Sequence, residues 1–185
     1  MQDYRINTNY AKAIFLLAGE TSEQEAVAAD MRLIEEVCRE NRVLNAVFAN
    51  PTLKPFKKAA IVKELFGPKV CRLSQLFLDF VVRKQRSINL RGISLAYLDL
   101  YRQSRNIVLS ELTTAVEADE EILASVRQLI ADYTQKEVEL KNKVDANGLG
   151  GFAIKFDNNM YDARLSTQLS KLRLEFDKNI YESKL

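Results

Sequence analysis

Catalysis needs groups that ionise, bind metal or attack near neutral pH, and this chain supplies few of them. It contains no histidine, so the commonest general base and the commonest metal ligand are both missing. Its two cysteines, Cys38 and Cys71, are not spaced as CxxC. They fall within helical apolar patterns, which suits small buried hydrophobes better than a disulfide or a metal pair. The run Gly148-Leu149-Gly150-Gly151 lacks the Lys-Ser/Thr of a phosphate loop and leads into an alternating segment, not a helix, so it does not cradle a phosphate. The carboxylate pairs Glu35-Glu36, Glu120-Glu121 and Asp157 with Asp162 read as solvated faces, caps or turn residues. No catalytic residue, metal ligand or cofactor is assigned, and binding is the activity to look for.

The glycine run has a structural task instead. Three of the six glycines, Gly148, Gly150 and Gly151, lie within four residues, which marks a sharp turn or a close backbone approach. Phe152, Ile154 and Phe156 then alternate with Ala153, Lys155 and Asp157 as in a half-buried strand, and Asn158-Asn159 supplies a hairpin turn. Upstream, Val138, Leu140 and Val144 alternate with Glu139, Lys141 and Lys143. The glycines are expected to join two strands that pair with each other. Either Gly148 alone takes the strained turn, or the Gly150-Gly151 doublet leaves a bare patch on which the last helix packs through Leu165, Leu169 and Leu172.

The amino-terminal half reads as helix throughout. In the first helix, about Asp3 to Ala18, Ile6, Tyr10, Ala13, Ile14 and Leu17 form one stripe and Tyr4, Ala11, Phe15 and Ala18 another. One stripe suffices to bury a helix. Either this helix is sandwiched between neighbours, or its second stripe is a docking surface. Ser22 with Glu25 fits a capping box before a helix whose inner face is Val27, Met31, Ile34 and Cys38. A short helical piece to about Ala49 ends at Asn50-Pro51. Pro55 opens a fourth helix with Phe56, Ala59, Ala60, Ile61 and Leu65 as its apolar positions, stopped by Gly67-Pro68. The fifth, about Lys69 to Lys84, again has two stripes: Leu73, Leu76, Phe77, Phe80 and Val81 on one face, Cys71, Leu78 and Val82 on another. A sixth, Ser87 to Ser104, turns Ile93, Ala96, Tyr97, Leu100 and Tyr101 inward and closes a six-helix bundle.

After Ser104 the apolar period drops to two. Val108, Ser110, Leu112, Thr114 and Val116 share one face of a strand rich in β-branched residues. Asp119 is placed to cap a helix with Ile122, Val126, Leu129, Ile130 and Tyr133 on a stripe. Paired strands and a final helix with Leu165, Leu169, Leu172 and Phe176 follow, then a polar tail. The predicted fold is mainly α with a small α+β domain. The six-helix bundle spans 1–105, and a strand-helix-strands-helix domain spans 106–185.

Charge divides at the same place. Up to Arg105, 17 Lys and Arg face 11 Asp and Glu; from Asn106 onward, 10 face 14. The halves thus carry +6 and −4, which points to different electrostatic partners. Most of the basic excess lies between Lys54 and Arg105. The aromatic interleaving that stacks nucleic-acid bases is absent there. No run approaches the roughly 20 apolar residues that span a bilayer, and no leader is evident, so the chain is expected to stay where it is made.

Asp145, then Leu149-Gly150-Gly151, an alternating strand, Asp162 and a helix bearing Leu165, Leu169 and Leu172 together resemble the carboxyl-terminal signature of the ATP synthase delta subunit family, whose mitochondrial member is the oligomycin-sensitivity-conferring protein. The segment from Asn50-Pro51 is similar to the family's Asn-Pro…Lys stretch. Two positions depart from the pattern: Gly148 stands where the family favours an aliphatic residue, and Ala163-Arg164 where it favours a small residue and then Ser.

The resemblance implies a non-catalytic stator subunit of a rotary proton-translocating ATP synthase, on the cytoplasmic face of the bacterial inner membrane and without membrane insertion of its own. It implies that the first and fifth helices receive the amphipathic amino-terminal helix of an alpha subunit of the catalytic head, with Ile6, Tyr10, Ala13, Ile14, Leu17, Leu73, Leu76, Phe77, Phe80 and Val81 as candidates in this chain. It implies that the carboxyl domain holds the carboxyl end of the peripheral-stalk b subunit, with Asp145, Gly150, Gly151 and Asp162 as its structural signature. The alternatives are a helical RNA-binding or transcription-associated protein, which steep salt dependence of RNA binding would support, and an enzyme of unrecognised type. Neither accounts for the glycine signature.

Overall fold

The structure, a computed structural model, describes residues 2–50, 52–145, 148, 150–157 and 159–178. The expected break at Pro51, the signature residue Leu149, the turn residue Asn158 and the polar tail from 179 lie outside the described residues. The chain is mostly helical with one small sheet, and it divides into two compact units, Met1–Arg105 and Asn106–Leu185.

The first unit contains α1 (Gln2–Glu20), α2 (Gln24–Glu40), α3 (Arg42–Ala49), α4 (Pro55–Phe66), α5 (Arg72–Arg83) and α6 (Leu90–Arg105), the last preceded by a 3-10 turn, Ser87–Asn89. Helix α6 packs on both α1 and α2, and α4 forms an antiparallel hairpin with α5. Ala11, Ile14 and Ala18 of α1 are buried at a spacing that keeps them on one face. On α6, Leu90, Ile93, Tyr97 and Tyr101 are buried in the same way. Phe15 meets Tyr97 edge-on at 5.8 Å, and the Tyr97 hydroxyl donates to the Gln24 carbonyl at 3.1 Å. Gly92 lets α1 come this close. A Cβ there would overlap the Asn7 amide, whose oxygen instead accepts from Asn89 Nδ2 at 3.0 Å. Buried Asp30 ties α2 to the start of α5 by accepting the Cys71 N–H at 2.9 Å.

Several local expectations are corrected. Ser22 takes a left-handed φ of +58°, so the chain enters α2 through Glu23 without a side-chain cap bond and the capping box does not close. Helix α5 starts at Arg72, not Lys69, with the Cys71 sulfur accepting from Ser74 N–H at 3.5 Å. On α4 the residues turned inward are Val62 and Phe66, while Phe56 and Leu65 are exposed.

The second unit contains β1 (Ile107–Thr114), α7 (Glu120–Thr134), β2 (Glu137–Val144), β3 (Phe152–Phe156), β4 (Asn159–Asp162) and α8 (Leu165–Lys178). The sheet order is β2-β1-β3-β4. Strand β1 pairs parallel with β2, Val108 opposite Val138, and antiparallel with β3, Leu112 opposite Ile154. The glycine run therefore joins strands on either side of β1, not a directly paired couple. The strand richest in β-branched residues takes the interior, and β2, with Glu137, Glu139, Lys141 and Lys143 on one side, takes an edge that its charges protect. Leu112, Ile130, Val138 and Ile154 form the core, supported by Leu123, Val126, Leu140 and Phe156.

Helix α7 is rotated from its expected phase. Leu123, Val126 and Ile130 face the sheet, whereas Ile122, Leu129 and Tyr133 are exposed. Tyr133 still reaches Phe156 edge-on at 5.8 Å. Asp119 occupies the N-cap position without a side-chain cap bond. The β3–β4 pairing of Phe156 with Asn159 moves the hairpin turn one residue earlier, where Asp157 adopts φ +51°. Val116 lies beyond the end of β1 and is exposed.

Candidate partner-binding surfaces

The ten candidates on α1 and α5 separate into two groups. Ile14, Phe77 and Val81 are buried and hold the helices in place. Leu17, Leu76 and Phe80 are large exposed apolar residues, Ala13 is exposed, and Ile6, Tyr10 and Leu73 are half-buried. The two helices meet at the rim of this set, where the rings of Tyr10 and Phe80 lie 6.0 Å apart at 42°. Lys84, one turn beyond Phe80, places Nζ 5.7 Å over the same ring. An apolar surface with a cation at one edge results.

Two features of this surface escape a stripe reading. Leu16 is two-thirds exposed, at 67%, and belongs to neither stripe of α1; an apolar residue outside every buried face was its signal. Leu76 lines a groove between α4 and α5 whose lining does not include Tyr10 or Phe80. Helical spacing alone cannot separate these directions, because α5 has neighbours on two sides.

The basic excess between Lys54 and Arg105 is partly consumed within the unit. Lys58 Nζ donates to the Phe48 carbonyl at 2.7 Å, Arg83 pairs with Asp79 at 2.7 Å, Arg91 with Glu35 at 3.5 Å and Arg102 with Asp99 at 3.1 Å. Cys38 is buried, and burial pushes its thiol up to about 11. It stays protonated, as a structural thiol does. Among the described residues no cluster of His, Cys, Asp or Glu is arranged to hold a metal, and no helix is long and apolar enough to cross a membrane.

In the second unit the signature residues are architectural. Gly150 and Gly151 adopt φ +132° and +83°, a region L side chains rarely enter. Gly148 does not, so the strain belongs to the doublet. A Cβ on Gly151 would overlap the Ala163 carbonyl oxygen and sit 2.9 Å from Arg164 Cα. The approach is cemented by Leu165 N–H donating to the Gly150 carbonyl at 3.0 Å and Ala163 N–H to that of Phe152 at 2.9 Å. Asp145 N–H donates to the Thr114 carbonyl at 2.8 Å at the end of β1.

Asp162 organises the start of α8. Its carboxylate accepts from Arg164 N–H at 3.0 Å, from the Arg164 guanidinium at 2.6 Å and from the Thr167 hydroxyl at 3.1 Å. These bonds hold the carboxyl well below the usual carboxylate range, the Arg164 side chain contributing most. The Ala163-Arg164 departure is thereby explained: the arginine supplies locally the donors that fix the aspartate.

The bare patch is used differently from expectation. Leu165 alone reaches it, its Cδ1 lying 3.0 Å from where a Gly150 Cβ would stand. Leu169, Leu172 and Phe176, at helical spacing after Leu165, are exposed instead. Helix α8 thus presents a continuous apolar stripe to solvent.

Comparison with known proteins places this geometry. The family model described as ATP synthase delta (OSCP) subunit matches residues 6–176. The ATP synthase subunit delta of Cytophaga hutchinsonii is 33% identical over 180 residues, covering 97% of this chain and 98% of that protein. The ATP synthase subunit delta of a Synechococcus strain is 34% identical over 167 residues, covering 90% of this chain and 92% of its own length. A chain of the Toxoplasma gondii mitochondrial ATP synthase hexamer, solved by cryo-EM, shares the fold with a TM-score of 0.73 at 15% identity, over 94% of this chain and 98% of that one. With the family model spanning both units and relatives aligned nearly end to end, this chain belongs to the ATP synthase delta (OSCP) subunit family.

Proposed function

We propose that the chain works as a clamp between the catalytic head of a proton-translocating ATP synthase and its peripheral stalk, on the cytoplasmic face of a bacterial inner membrane. The family is non-catalytic, so the contribution is mechanical. Rotor torque drives ATP synthesis only if the head is kept from turning with the rotor.

In this reading residues 1–105 act as a six-helix bundle that receives an alpha-subunit amino-terminal helix on α1 and α5, and residues 106–185 receive the carboxyl end of a b subunit. The carrying observation is the Tyr10–Phe80 contact between α1 and α5, where a half-buried tyrosine meets a half-exposed phenylalanine and both leave apolar surface open. Helix-in-groove recognition needs such a surface, with a small residue such as Ala13 beside the anchors. The exposed Leu165, Leu169, Leu172 and Phe176 of α8 support the stalk contact. The test titrates the full chain with an alpha amino-terminal peptide and, separately, a b carboxyl-terminal peptide, following backbone amide NMR signals. The alpha peptide is expected to move signals around Tyr10, Leu17 and Phe80, and the b peptide those of α8. Both peptides moving the same residues would refute a two-site clamp.

A further inference from the structure

A second recognition surface lies between α4 and α5, and neither Tyr10 nor Phe80 lines it. The two 12-residue helices are joined by a five-residue turn, and the groove along their hairpin has a volume of about 560 Å³. Its apolar lining includes Phe56, Ala59, Ala60 and Leu76. Phe56 and Leu76 are 64% and 61% exposed, so each is a large anchor left open, and the two alanines between them allow a backbone to approach closely. The turn is held by Gln75, whose Nε2 donates to the carbonyls of Gly67 at 2.6 Å and Val70 at 3.0 Å. The groove is preformed.

Charge gives it a direction. Arg83 lines the open end of the hairpin and is neutralised by Asp79 at 2.7 Å. Lys63, in the last turn of α4, and Arg72, the first residue of α5, line the closed end. No ion pair engages either of them among the described residues. An apolar trough thus runs into two uncompensated cations.

We propose that this groove docks an acidic amphipathic helix of a partner protein, its apolar stripe on Ala59, Ala60 and Leu76 and its carboxylates at the Lys63–Arg72 end. A helix of 12 residues is about 18 Å long, so the groove accommodates roughly three turns of the partner. The two sites border each other at Leu76, which lies one turn from Phe80 on α5 and lines this groove, whereas Phe80 does not. Helix α5 would then serve two partners on adjacent surfaces that meet at Leu76.

The experiment uses the full-length chain and two synthetic three-turn peptides. Both carry Leu at i, i+4 and i+7; one ends in a Glu-Glu pair and the other in Lys-Lys. The acidic peptide is expected to shift the amide signals of Ala59, Ala60, Lys63 and Arg72 and to bind about tenfold more tightly than the basic one, as a pair of complementary contacts at a partly dry site allows. Lys63→Glu with Arg72→Glu, both at exposed positions, should reverse that order without changing the thermal melt. Leu17→Asp, at an exposed position of α1 outside the groove lining, should leave acidic-peptide affinity intact, which separates this site from the one on α1 and α5. Equal affinity for the two peptides, or shifts centred on Tyr10 and Phe80, would overturn the proposal. So would octanoate displacing the peptide and reproducing its shifts, which assigns the groove to a small anion. Shifts at these residues that follow protein concentration without peptide would assign it to a second copy of the chain.

Discussion

The Tyr10 ring of α1 lies 6.0 Å from the Phe80 ring of α5, tilted by 42°, and this contact sits at the border between core and solvent. Ile14, one helical turn beyond Tyr10, and Val81, next to Phe80 in the chain, are wholly buried. Phe80 itself is 48% exposed. The same two helices therefore carry residues that hold the unit together and residues available to a partner, side by side.

That division predicts opposite outcomes for two similar substitutions. Ile14→Asp buries an unpaired charge and should unfold the first unit. Phe80→Asp should leave helicity and melting temperature nearly unchanged while weakening alpha-peptide binding by about 2 kcal/mol or more, roughly thirtyfold. Circular dichroism melts alongside calorimetric titration separate the cases. Unchanged affinity in a folded Phe80→Asp chain refutes docking at this contact.

Helix α8 offers the matching test on the second unit. Leu169 and Leu172 are exposed, so changing both to Asp removes little burial and should cost less than about 0.5 kcal/mol of stability. Binding of a b carboxyl-terminal peptide should fall at least tenfold if these side chains are its anchors. Stalk binding that survives both changes moves the contact elsewhere, with the exposed Ile122, Leu129 and Tyr133 of α7 next to be tested.

What the sequence made legible follows from what periodicity encodes. The inner face of α2, Val27, Met31, Ile34 and Cys38, is buried as its spacing requires, because that helix buries a single stripe. Helices α4 and α7 were misphased: each has more apolar positions than it buries, and spacing does not say which subset turns inward. The order β2-β1-β3-β4 was hidden because pairing partners far apart in sequence leave no local trace. The glycine doublet was legible as a close approach. The packing of Leu165 on it was legible too, but the backbone contacts of Ala163 and Arg164 with Gly151 were not, since a backbone contact carries no side-chain pattern. In the sequence Leu76 is one of five apolar residues on one face of α5, and that it lines the groove with α4 emerges only once both neighbours of α5 are in place.

Ser110 provides a test of the sheet. Its side chain is fully buried on the core face of β1, between Val108 and Leu112, and its hydroxyl has no hydrogen-bond partner among the described residues. An unsatisfied buried hydroxyl costs on the order of 1–3 kcal/mol. Ser110→Ala removes that cost with little loss of volume, so the second unit should be unchanged or more stable by about 1 kcal/mol. A loss of more than about 1 kcal/mol in urea unfolding would mean that the hydroxyl is engaged.

Asp162 makes stability depend on acid. Its carboxyl is held below its ordinary range by the Arg164 side chain first, then by the Arg164 N–H and Thr167. A carboxylate depressed in the folded state contributes above its unfolded value of about 4 and loses that contribution as pH falls toward the folded value. Thermal melts should therefore show the wild-type chain ahead of Asp162→Asn at pH 7, with the gap closing below about pH 4. A gap independent of pH would show that the carboxylate charge is not what fixes the start of α8.

The last prediction concerns Gly151. Adding a side chain there meets two obstacles at once: φ of +83°, which costs an L-residue roughly 1–2 kcal/mol, and backbone atoms of Ala163 and Arg164 that cannot rotate aside as a side chain would. Relieving the overlap means moving the segment 163–165 off the strand. That breaks the Ala163–Phe152 and Leu165–Gly150 hydrogen bonds and releases the start of α8, with its Asp162–Arg164 pair. Gly151→Val should then destabilise the second unit by about 3 kcal/mol or more, in the range of substitutions that strain a special backbone site. Gly148→Ala is the control. Its φ is ordinary, and its nearest neighbours, the Asp145 carbonyl oxygen at 3.1 Å and Ala115 Cβ at 3.4 Å, need to yield by only a few tenths of an ångström. Because the chain divides at Arg105, the damage should stay in one unit: binding of the b peptide is lost while the alpha peptide binds Gly151→Val as it binds wild type. If Gly151→Val melts at the wild-type temperature and keeps the b peptide, the close approach of α8 to the glycine doublet has no structural role. If both peptides are lost together, the two units do not respond independently, and the clamp is a single cooperative body.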